Sequence, residues 1–288
     1  MTVWLNGEFI TDDGVAQIAI NDRGFLLGDG LFETILLIDG QPVFLEQHLS
    51  RFGVSAEMLG MELKLSEETV LAEVQRLATD AKLHEGRGAL RISLSRGTGP
   101  RGLLPPAKPD LVLLMQVAPA PPEQPAATPV TTHISSIRRN EGSIASQMKT
   151  LSYMDNILAR QGANEAGRQE AIMLNNAGQV CCATIGNLFW ISPTHELITP
   201  ELESGVLPGI VRAEILTIAV DQEVAVTEGA VSPENLATGL CFMTNSLIGL
   251  RQLAVEGAMP DAACQALFND LVTAYSEAVR QYLSTSGS

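Results

Sequence analysis

Lysine is scarce in this chain, and one lysine stands in a setting that suits chemistry. Lys149 lies just before an expected helix start near Tyr153 and is followed by apolar and small residues, whereas Lys64, Lys82 and Lys108 lie among polar or proline-rich neighbours. Burial lowers the pKa of a lysine and leaves a neutral amine, the nucleophile that Schiff-base chemistry requires. A lysine on an exposed loop is the alternative interpretation, and this stretch alone does not exclude it.

Length and charge limit the class of protein. The 288 residues suffice for one large domain or two of ordinary size, and 45% hydrophobic with 18% charged residues is typical of a globular chain. The formal net charge of −15 argues against a nucleic-acid partner. The sequence contains neither the roughly 20-residue apolar run of a membrane span nor a signal-peptide pattern. We therefore expect a cytoplasmic protein that binds neither nucleic acid nor membrane.

The cysteines and histidines do not have the spacing of a metal site, so we expect no metal. Cys181 and Cys182 are adjacent, which is not a zinc-ribbon spacing, and the four histidines show no ligand pattern. For Cys181, Cys241 and Cys264 the favoured interpretation is a small buried residue in a reducing compartment. The role of Cys182 is left open at this point.

The order of the predicted elements indicates an α+β protein. Alternating or continuous apolar runs predict a hairpin within 4–20 and strands at 32–38, 88–96, 111–117, 171–174, 188–191 and 240–244. Helical periodicity and capping residues predict helices at 45–59, after Ser66, at about 153–165, from 207–212 and at 261–283. The pair Gly28-x-Gly30 opens a strand and lacks a third glycine, which excludes a Rossmann fingerprint.

A proline-rich stretch separates two groups of elements. Residues 118–126 cannot continue a helix or a central strand, because proline lacks the N–H that both require. We expect an N-terminal α/β domain of residues 1–117, a linker of 118–126 and a C-terminal domain of 127–288.

Three features suggest a site for an anion. The expected helix start at Gly209–Val211 offers unpaired N–H groups, Asn245 and Ser246 follow a strand with amide and hydroxyl donors, and Arg51 lies on a helix among apolar residues. Each feature alone is more often structural: a helix start, a turn, or an arginine that reaches solvent. A phosphate-bearing cofactor beside a buried lysine would account for all three.

Short motifs along nearly the whole chain resemble those of the class IV aminotransferases. They are DRG at 22–24 with GDGLFET at 28–34, HLSR at 48–51, SRG at 95–97 with PRG at 100–102, KTLSY at 149–153, NLF at 187–189, LPGIVR at 207–212 and FMTNSL at 242–247. The resemblance implies a two-lobed fold-type IV pyridoxal-phosphate enzyme. Such an enzyme has a smaller N-terminal α/β domain and a larger C-terminal pseudo-barrel domain, with the active site between the lobes near a homodimer interface.

The resemblance also implies a role for individual residues. Lys149 would form the Schiff base with pyridoxal 5′-phosphate and carry protons. The other residues implied to contact the cofactor are Arg51 at the phosphate, Ile210 and Val211 after Gly209, Asn245 and Ser246, Tyr153 at the phenolic oxygen, and Leu207 against the ring. Phe32 and Arg101 would lie at the substrate end, where Arg101 matches an arginine that binds substrate carboxylate in the D-amino-acid branch.

One position departs from the family pattern. Five residues before Asn187 the family usually has a glutamate, which keeps a proton on the pyridine nitrogen so that the ring accepts electrons. Here that residue is Cys182. A neutral thiol is a weak partner for the nitrogen, whereas a thiolate beside a cation can act as one. In the alternative interpretation Cys182 is only a packing residue and the nitrogen has another partner, such as water.

The expected function is therefore amino transfer between an amino acid and a 2-oxo acid. The rival function is 4-amino-4-deoxychorismate lyase, because the loop at Arg96–Gly97 and residues 244–247 are similar to that branch. A third possibility is a cofactor-binding homologue whose activity is weak or altered because of Cys182.

Overall fold

The computed structural model describes residues 2–11 and 14–286. Contacts divide the chain into two units, which are described separately. Unit 1 consists of the residues through Pro121, the segment Lys149–Ser152 and the residues from Tyr282 onward, and unit 2 consists of Pro122–Met148 and Tyr153–Gln281. Within the described residues, no helix is both long enough and apolar enough to cross a bilayer.

Unit 1 contains one sheet of six antiparallel strands. The strands are β1 (Val3–Leu5), β2 (Glu8–Ile10), β3 (Gly30–Ile38), β4 (Gln41–Pro42), β5 (Arg87–Ser95) and β6 (Val112–Pro119), in the order β2-β1-β6-β5-β3-β4. Successive residues of β5 alternate between buried and partly exposed, as its period-2 sequence predicts.

The helices of unit 1 are α1 (Arg23–Leu27), α2 (Leu45–Met58) and α3 (Glu67–Asp80). Helix α3 begins where the sequence predicts, because the Ser66 hydroxyl accepts a hydrogen bond from Thr69 N at 3.1 Å. Its fully buried Val70, Val74 and Leu77 form one stripe, and the helix contacts β4 and β6. Burial of this stripe holds α3 on the sheet.

Unit 2 contains a sheet that closes on itself. Its strands are β7 (Val130–Arg139), β8 (Glu170–Asn175), β9 (Val180–Ala183), β10 (Asn187–Ile191), β11 (Leu197–Thr199), β12 (Val226–Glu228), β13 (Leu240–Asn245) and β14 (Gly249–Ala254), in the order β12-β11-β10-β13-β14-β7-β8-β9. Strand β9 also pairs with β10 through Cys182 and Asn187. The strands from β10 through β13, β14, β7 and β8 to β9 therefore form a ring, which is the predicted pseudo-barrel.

The helices of unit 2 are α4 (Met154–Glu165), α5 (Ile210–Asp221), α6 (Pro233–Leu236) and α7 (Ala262–Ser286), except that the end of α7 from Tyr282 onward is grouped with unit 1. Aromatic packing joins α7 to the barrel strands. Phe189 of β10 stacks on Phe242 of β13 with ring centroids 5.1 Å apart, and Phe268 of α7 lies tilted against Phe242 at 5.2 Å. Offset and tilted aromatic pairs of this kind add to the energy of burial.

Several predicted elements differ from the structure. Residues 23–27, for which the sequence predicts no helix, form α1, and Asp22 caps it by accepting from Phe25 N at 3.0 Å. The predicted helix from 207–212 begins only at Ile210, with Gly209 as N-cap. The prediction missed β11 and β12, which have three residues each and are too short for periodicity to reveal.

The hairpin predicted within residues 4–20 is formed by β1 and β2, and residues 14–20 lie outside any strand. Asp12 and Asp13 fall outside the described residues. The domain boundaries stay a prediction. Strand β6 continues to Pro119, within the expected linker, and Lys149–Ser152 is grouped with unit 1.

Candidate active site

A short backbone pairing in unit 1 places Lys149 beside the start of β3. Phe32 N donates to Lys149 O at 2.9 Å, Leu151 N donates to Gly30 O at 2.9 Å, and Leu31 forms an antiparallel bridge with Thr150. Backbone hydrogen bonds in this pattern fix a segment as they would fix a strand. The main chain at Lys149 is therefore held against β3.

Gly30 allows this close approach. A Cβ atom at Gly30 would lie 2.2 Å from Leu94 O and 2.7 Å from Leu151 Cδ1. Both distances are too short for real atoms, and one of them is to backbone that cannot move aside cheaply. Glycine is thus required on steric grounds at the second glycine of the GDG motif, because β3 is packed between β5 and the Lys149 segment.

The side chain of Lys149 lies against an aromatic ring. Its Nζ is 4.4 Å from the centroid of the Phe32 ring, and the Arg91 Cζ atom is 3.9 Å from the same centroid. Lys149 is partly buried, and Phe32 is only 5% exposed. The other three lysines are exposed, as the sequence predicts. Lys149 is thus set apart from them by partial desolvation and by a cation–π contact.

Next to Phe32 on β3, a buried carboxylate orients an arginine. Glu33 accepts from Arg51 Nε at 2.8 Å and from Arg51 Nη2 at 2.6 Å, and His48 Nδ1 lies 2.8 Å from its second oxygen. A two-point contact fixes the plane of a guanidinium as well as its distance. Glu33 engages one edge of Arg51, so the remaining N–H groups point away from the carboxylate.

Burial and nearby charges explain why Glu33 is ionised and His48 is neutral. Burial alone would raise the pKa of Glu33, but the Arg51 charge and the His48 hydrogen bond outweigh it and hold that pKa at about 2. Burial lowers the pKa of His48, and the nearby cations Arg51 and Lys149 lower it further, although Glu33 opposes them. Glu33 is therefore an anion paired with Arg51, and His48 is a neutral hydrogen-bond donor.

The loop that carries Arg101 is anchored by another arginine. Arg23 donates to the carbonyl oxygens of Gly102 at 3.0 Å and Leu103 at 2.8 Å, and it pairs with Asp29 at 2.8 Å. Asp29 also pairs with Arg96. Arg101 itself is exposed to solvent. Its expected role at the substrate end stays a prediction.

In unit 2, Asn187 brings several of the predicted residues together. Its Nδ2 donates to Leu207 O at 2.8 Å, and its Oδ1 lies 1.9 Å from the point where a Cβ of Gly209 would be. On β10 its Cα pairs with Cys182 of β9 and Thr244 of β13. One buried amide thus links the Leu207–Gly209 turn to the strand that carries Cys182.

The N-terminus of α5 has the features of an anion-binding site. Gly209 is its N-cap, and no side chain caps the first turn, so the N–H groups of Ile210 and Val211 have no capping side chain. The helix dipole adds partial positive charge at this end. The absence of a Cβ at Gly209 keeps the main chain close to Asn187.

Tyr153, Asn245 and Ser246 lie at element ends, as expected. Tyr153 is the partly buried N-cap residue of α4. The Asn245 amide oxygen accepts from Leu247 N and Ile248 N at 3.0 Å each, and its Nδ2 donates to Ile185 O at 3.1 Å. Because both ends of the Asn245 side-chain amide form these bonds, Asn245 stabilises the turn after β13. This favours a positioning role for Asn245 over direct contact with a cofactor.

The four cysteines are buried and unpaired by disulfides. Cys182 belongs to a buried cluster with Met173 of β8, Ala159 of α4 and Val206, the residue before Leu207. The position at which the sequence predicts the family's glutamate is therefore close in the fold to Leu207, the residue expected to pack on the pyridine ring.

The structure also groups three residues that sequence spacing does not connect. Within the described residues, donor atoms of His195, Asp261 and Cys264 lie within 4.8 Å of one another. Asp261 accepts from Cys264 N at 2.7 Å, as an N-terminal cap of α7 does, and from His195 at 3.2 Å. Burial and the Asp261 carboxylate raise the pKa of the Cys264 thiol, which makes it a poor metal ligand. Capping of α7 accounts for the group.

Comparison with known proteins identifies the family. The sequence model of the family "Amino-transferase class IV" matches residues 30–254, which include the segments carrying Phe32, Lys149, Cys182 and Ser246. The chain belongs to the class IV aminotransferases. This family is made up of enzymes that depend on pyridoxal 5′-phosphate, so the predicted family, enzyme class and cofactor are confirmed at the level of the family.

Individual relatives of the chain are named for different enzymatic activities. The chain is 30% identical over 241 residues to the "Putative branched-chain-amino-acid aminotransferase" of Methanocaldococcus jannaschii, covering 83% of this chain and 81% of the relative. It is 28% identical over 249 residues to the aminodeoxychorismate lyase of Bacillus subtilis, covering 85% and 83%.

A solved structure of a 4-amino-4-deoxychorismate lyase from Pseudomonas aeruginosa has a TM-score of 0.78 and 28% identity, covering 93% of this chain and 97% of that one. Together with the sequence relatives it confirms the predicted two-lobed α+β fold of type IV. The identities to aminotransferases and to lyases are too similar to separate the two activities.

The donor set of the chain fits pyridoxal 5′-phosphate with one departure. Unit 1 offers a partly buried primary amine at Lys149 and an oriented guanidinium at Arg51. Unit 2 offers the uncapped N-terminus of α5, where glycine leaves room for close approach. These groups suit an aldehyde and a phosphate. The departure is Cys182, since a thiol stands where a carboxylate is expected.

The sequence interpretation assigned no role to Glu33, His48, Arg23 or Asn187. All four lie within or beside the quoted motifs. The sequence signal that could have revealed them is their position next to predicted site residues. What each side chain contacts became visible only in the structure. Glu33 orients Arg51, Arg23 anchors the Arg101 loop, and Asn187 holds the Leu207–Gly209 turn.

We predict that Glu33→Gln changes how stability depends on pH. The pKa of Glu33 lies below its ordinary value of 4.5, so its contribution is present above pH 4.5 and is lost as pH falls toward about 2. The shift corresponds to about 3 kcal/mol. Urea unfolding should show wild type and Glu33→Gln furthest apart at neutral pH and converging in acid.

Glu73→Gln is the control, because Glu73 pairs with the exposed Arg76 on the surface of α3. Its effect should stay below about 1 kcal/mol at every pH. If the difference in unfolding free energy between wild type and Glu33→Gln did not decrease in acid, that result would contradict a charged Glu33.

Proposed function

We propose that this chain is a pyridoxal-phosphate-dependent aminotransferase that moves an amino group between an amino acid and a 2-oxo acid. The observation that carries the proposal is the partly buried Lys149 amine, 4.4 Å from the Phe32 ring centroid, on a backbone segment hydrogen-bonded to β3. A family match supports the reaction class, and the setting of Lys149 supports this residue as the reacting amine.

Pyridoxal 5′-phosphate, when bound, makes the Cα–H bond of an attached amino acid acidic by accepting its electrons. With the cofactor held at this site, Lys149 Nζ would be the base that removes the Cα proton of the substrate and the acid that later gives a proton back. Its main chain is fixed by the hydrogen bond from Phe32 N, while the side chain keeps its rotatable bonds. This combination would let one amine take a proton at one position and release it at another.

Arg51 is proposed as a phosphate ligand. Glu33 engages its Nε and Nη2, which sets the guanidinium plane, and a neutral His48 completes the carboxylate's hydrogen bonds. A preoriented guanidinium loses less conformational entropy when it binds an anion. Glu33 and His48 thus act through Arg51.

The N–H groups of Ile210 and Val211 and the Ser246 hydroxyl are proposed to donate to phosphate oxygens. Leu207 is proposed to pack on the pyridine ring and Tyr153 to donate to the phenolic oxygen. Asn187 positions this part of unit 2 through its bond to Leu207 O. Phe32 and Arg101 are proposed to contact the substrate.

A lyase activity is the second candidate, because the Bacillus subtilis relative at 28% identity is an aminodeoxychorismate lyase. Both reactions begin by attaching an amino substrate and removing its Cα proton, and Lys149 would serve both. They differ in the bond that breaks next. Amino transfer is taken as the first candidate because the family model that matches the chain is that of the class IV aminotransferases.

We also propose that the enzyme is a homodimer. Apolar side chains of unit 1 on and just before α1 are largely exposed: Ile20 at 87%, Phe25 at 77%, Leu26 at 58% and Leu27 at 46%. A contiguous exposed apolar patch is typical of a protein interface. A second copy of this chain is the partner that the family resemblance implies.

We predict that Lys149→Ala abolishes covalent cofactor attachment. Borohydride reduction of wild type with pyridoxal phosphate should leave a stable adduct on Lys149, detected by peptide mass spectrometry, and the variant should carry none. Its amino-transfer rate should fall by about a thousandfold or more. Lys108→Ala removes an exposed lysine and should leave the adduct unchanged. A reduced adduct persisting in Lys149→Ala would refute the assignment.

We predict that the products distinguish amino transfer from lysis. With a panel of L- and D-amino acids and 2-oxo acids, chromatography should detect a new amino acid and a new oxo acid in equal amounts. Incubation with 4-amino-4-deoxychorismate should give no 4-aminobenzoate above that formed by Lys149→Ala. Release of 4-aminobenzoate together with pyruvate would instead establish the lyase.

We predict that Phe25→Asp weakens the dimer. A charge in an apolar interface has to be desolvated, so light scattering should show monomer at concentrations where wild type is dimeric. Met259→Asp is the control, since Met259 is 88% exposed in unit 2 and lies outside the proposed interface. Equal masses for wild type and Phe25→Asp at all concentrations would count against this surface.

A further inference from the structure

The loop that carries Arg101 (residues 97–104) closes around a buried arginine of α1. Arg23 is 4% exposed, and its two terminal nitrogens donate to three successive carbonyl oxygens of the loop. These acceptors are Gly102 O at 3.0 Å, Leu103 O at 2.8 Å and Leu104 O at 3.4 Å. The third nitrogen, Nε, donates to Asp29 at 2.8 Å. One guanidinium thus uses all of its nitrogens, and two of them hold loop backbone.

A second buried arginine fixes the orientation of Arg23. Asp29 Oδ2 accepts from Arg23 Nε and from Arg96 Nε at 2.8 Å each, and Arg96 is 5% exposed. Arg96 Nη2 also donates to Leu59 O, at the end of α2, at 2.9 Å. Charge-assisted hydrogen bonds of this kind fix the direction of a guanidinium. Asp29 is therefore held from two sides and holds Arg23 in turn.

The backbone of the loop is fixed at its base and along its path. Arg23 N donates to Gly97 O at 2.8 Å. Gly99 lies against the Arg23 side chain, since an added Cβ at Gly99 would be 2.8 Å from Arg23 Cδ. Gly102 has a φ of +113°, a conformation that residues with a side chain rarely adopt. The loop and the buried Arg23 side chain are therefore built to fit each other.

Opening the loop would remove the acceptors of a buried cation. A polar group out of water needs hydrogen-bond partners, and leaving it without them is costly. Leu103 and Leu104 are 83% and 84% exposed, so burial of their side chains does not hold the loop. The backbone bonds to Arg23 do so in the absence of any ligand. Arg101, the exposed residue before Gly102, is thus carried on a backbone that is already fixed.

We propose that Arg23, held by Asp29 and Arg96, is a positioning residue for substrate selection. It fixes the loop so that Arg101 is in place to bind the substrate carboxylate before the substrate arrives. The inference rests on the proposed function, in which Arg101 contacts the substrate, and Arg23 acts only through Arg101. A preformed cation loses less conformational entropy on binding, so it favours amino acids with a free carboxylate over amines without one.

The first experiment measures how often the loop opens in the holoenzyme. Trypsin can cut after Arg101 only when the surrounding backbone leaves its folded conformation, and mass spectrometry detects the new N-terminus at Gly102. Wild type should resist cleavage at this bond without substrate. Arg23→Gln should be cut at least about tenfold faster, because it removes the charged donors that hold the loop.

Two further variants separate the loop contacts from charge and from general damage. Arg23→Lys keeps the charge but has one nitrogen in place of three, so it should also be cut faster than wild type. Arg76→Gln is the control, because it changes an exposed arginine of α3 in the same unit and should leave cleavage after Arg101 unchanged. Rapid cleavage of wild type at this bond, or equal rates in wild type and both Arg23 variants, would overturn the proposal.

The second experiment tests whether Arg23 acts through Arg101. Carboxylate selectivity is the kcat/KM for the best amino acid of the panel divided by that for its carboxamide. Arg101→Gln and Arg23→Gln should each lower this ratio by about tenfold or more. The double variant should lose no more than Arg101→Gln alone, since residues that act as one unit are not additive. Arg76→Gln should keep the ratio of wild type.

The outcomes distinguish this inference from the proposed function. If the two losses of selectivity multiplied, or if Arg23→Gln lowered kcat/KM for both substrates equally, Arg23 would have only a structural role. That result would refute the inference and leave amino transfer standing. If wild type converts no amino acid, the proposed function fails together with the substrate role, and the trypsin comparison still decides whether Arg23 holds the loop. If Arg23→Gln does not fold, Arg23→Lys and Asp29→Asn serve for both measurements.

Discussion

The candidate site in unit 1 depends on the backbone pairing between Lys149–Ser152 and the first residues of β3. The pairing fixes the lysine main chain, and Gly30 makes it sterically possible because no Cβ fits between Leu94 and Leu151. The next residues of the same strand position the other groups of the candidate site. Phe32 lies under the lysine amine, and the adjacent Glu33 orients an arginine of α2. One strand thus positions an amine, an aromatic ring and a cation within four residues of sequence.

A comparable constraint acts in unit 2 where the sheet closes. The closing pair is Asn187 with Cys182, so the residue expected to replace the family's glutamate lies where the barrel closes. Asn187 also bonds to Leu207 O and approaches Gly209, which ties the start of α5 to the same seam. A substitution at Cys182 therefore changes the chemistry offered at this point while the backbone that presents it stays fixed by its neighbours.

Much of the fold and of the candidate site was predictable from the sequence. The features that were not predicted have physical explanations. Periodicity and capping located α3 and β5, because their burial pattern repeats over nine residues or more. The ordered motifs predicted site roles for Lys149, Arg51 and the start of α5, and those roles stay a prediction. Periodicity cannot report an extra residue in a four-residue strand, so the bulge at Cys181 was not foreseen. Side-chain partners far apart in sequence, such as Arg23 with the carbonyl oxygens of Gly102 and Leu103, follow from tertiary packing alone.

The identity of residue 182 matters because of the acid–base chemistry of sulfur. An ordinary thiol has a pKa of about 8.5, so its thiolate is a stronger base than a carboxylate and tends to take a proton back from a partner nitrogen. A protonated Cys182 would then leave the ring nitrogen neutral and the electron sink weak. A thiolate whose pKa is lowered is a weaker base and takes the proton back less readily.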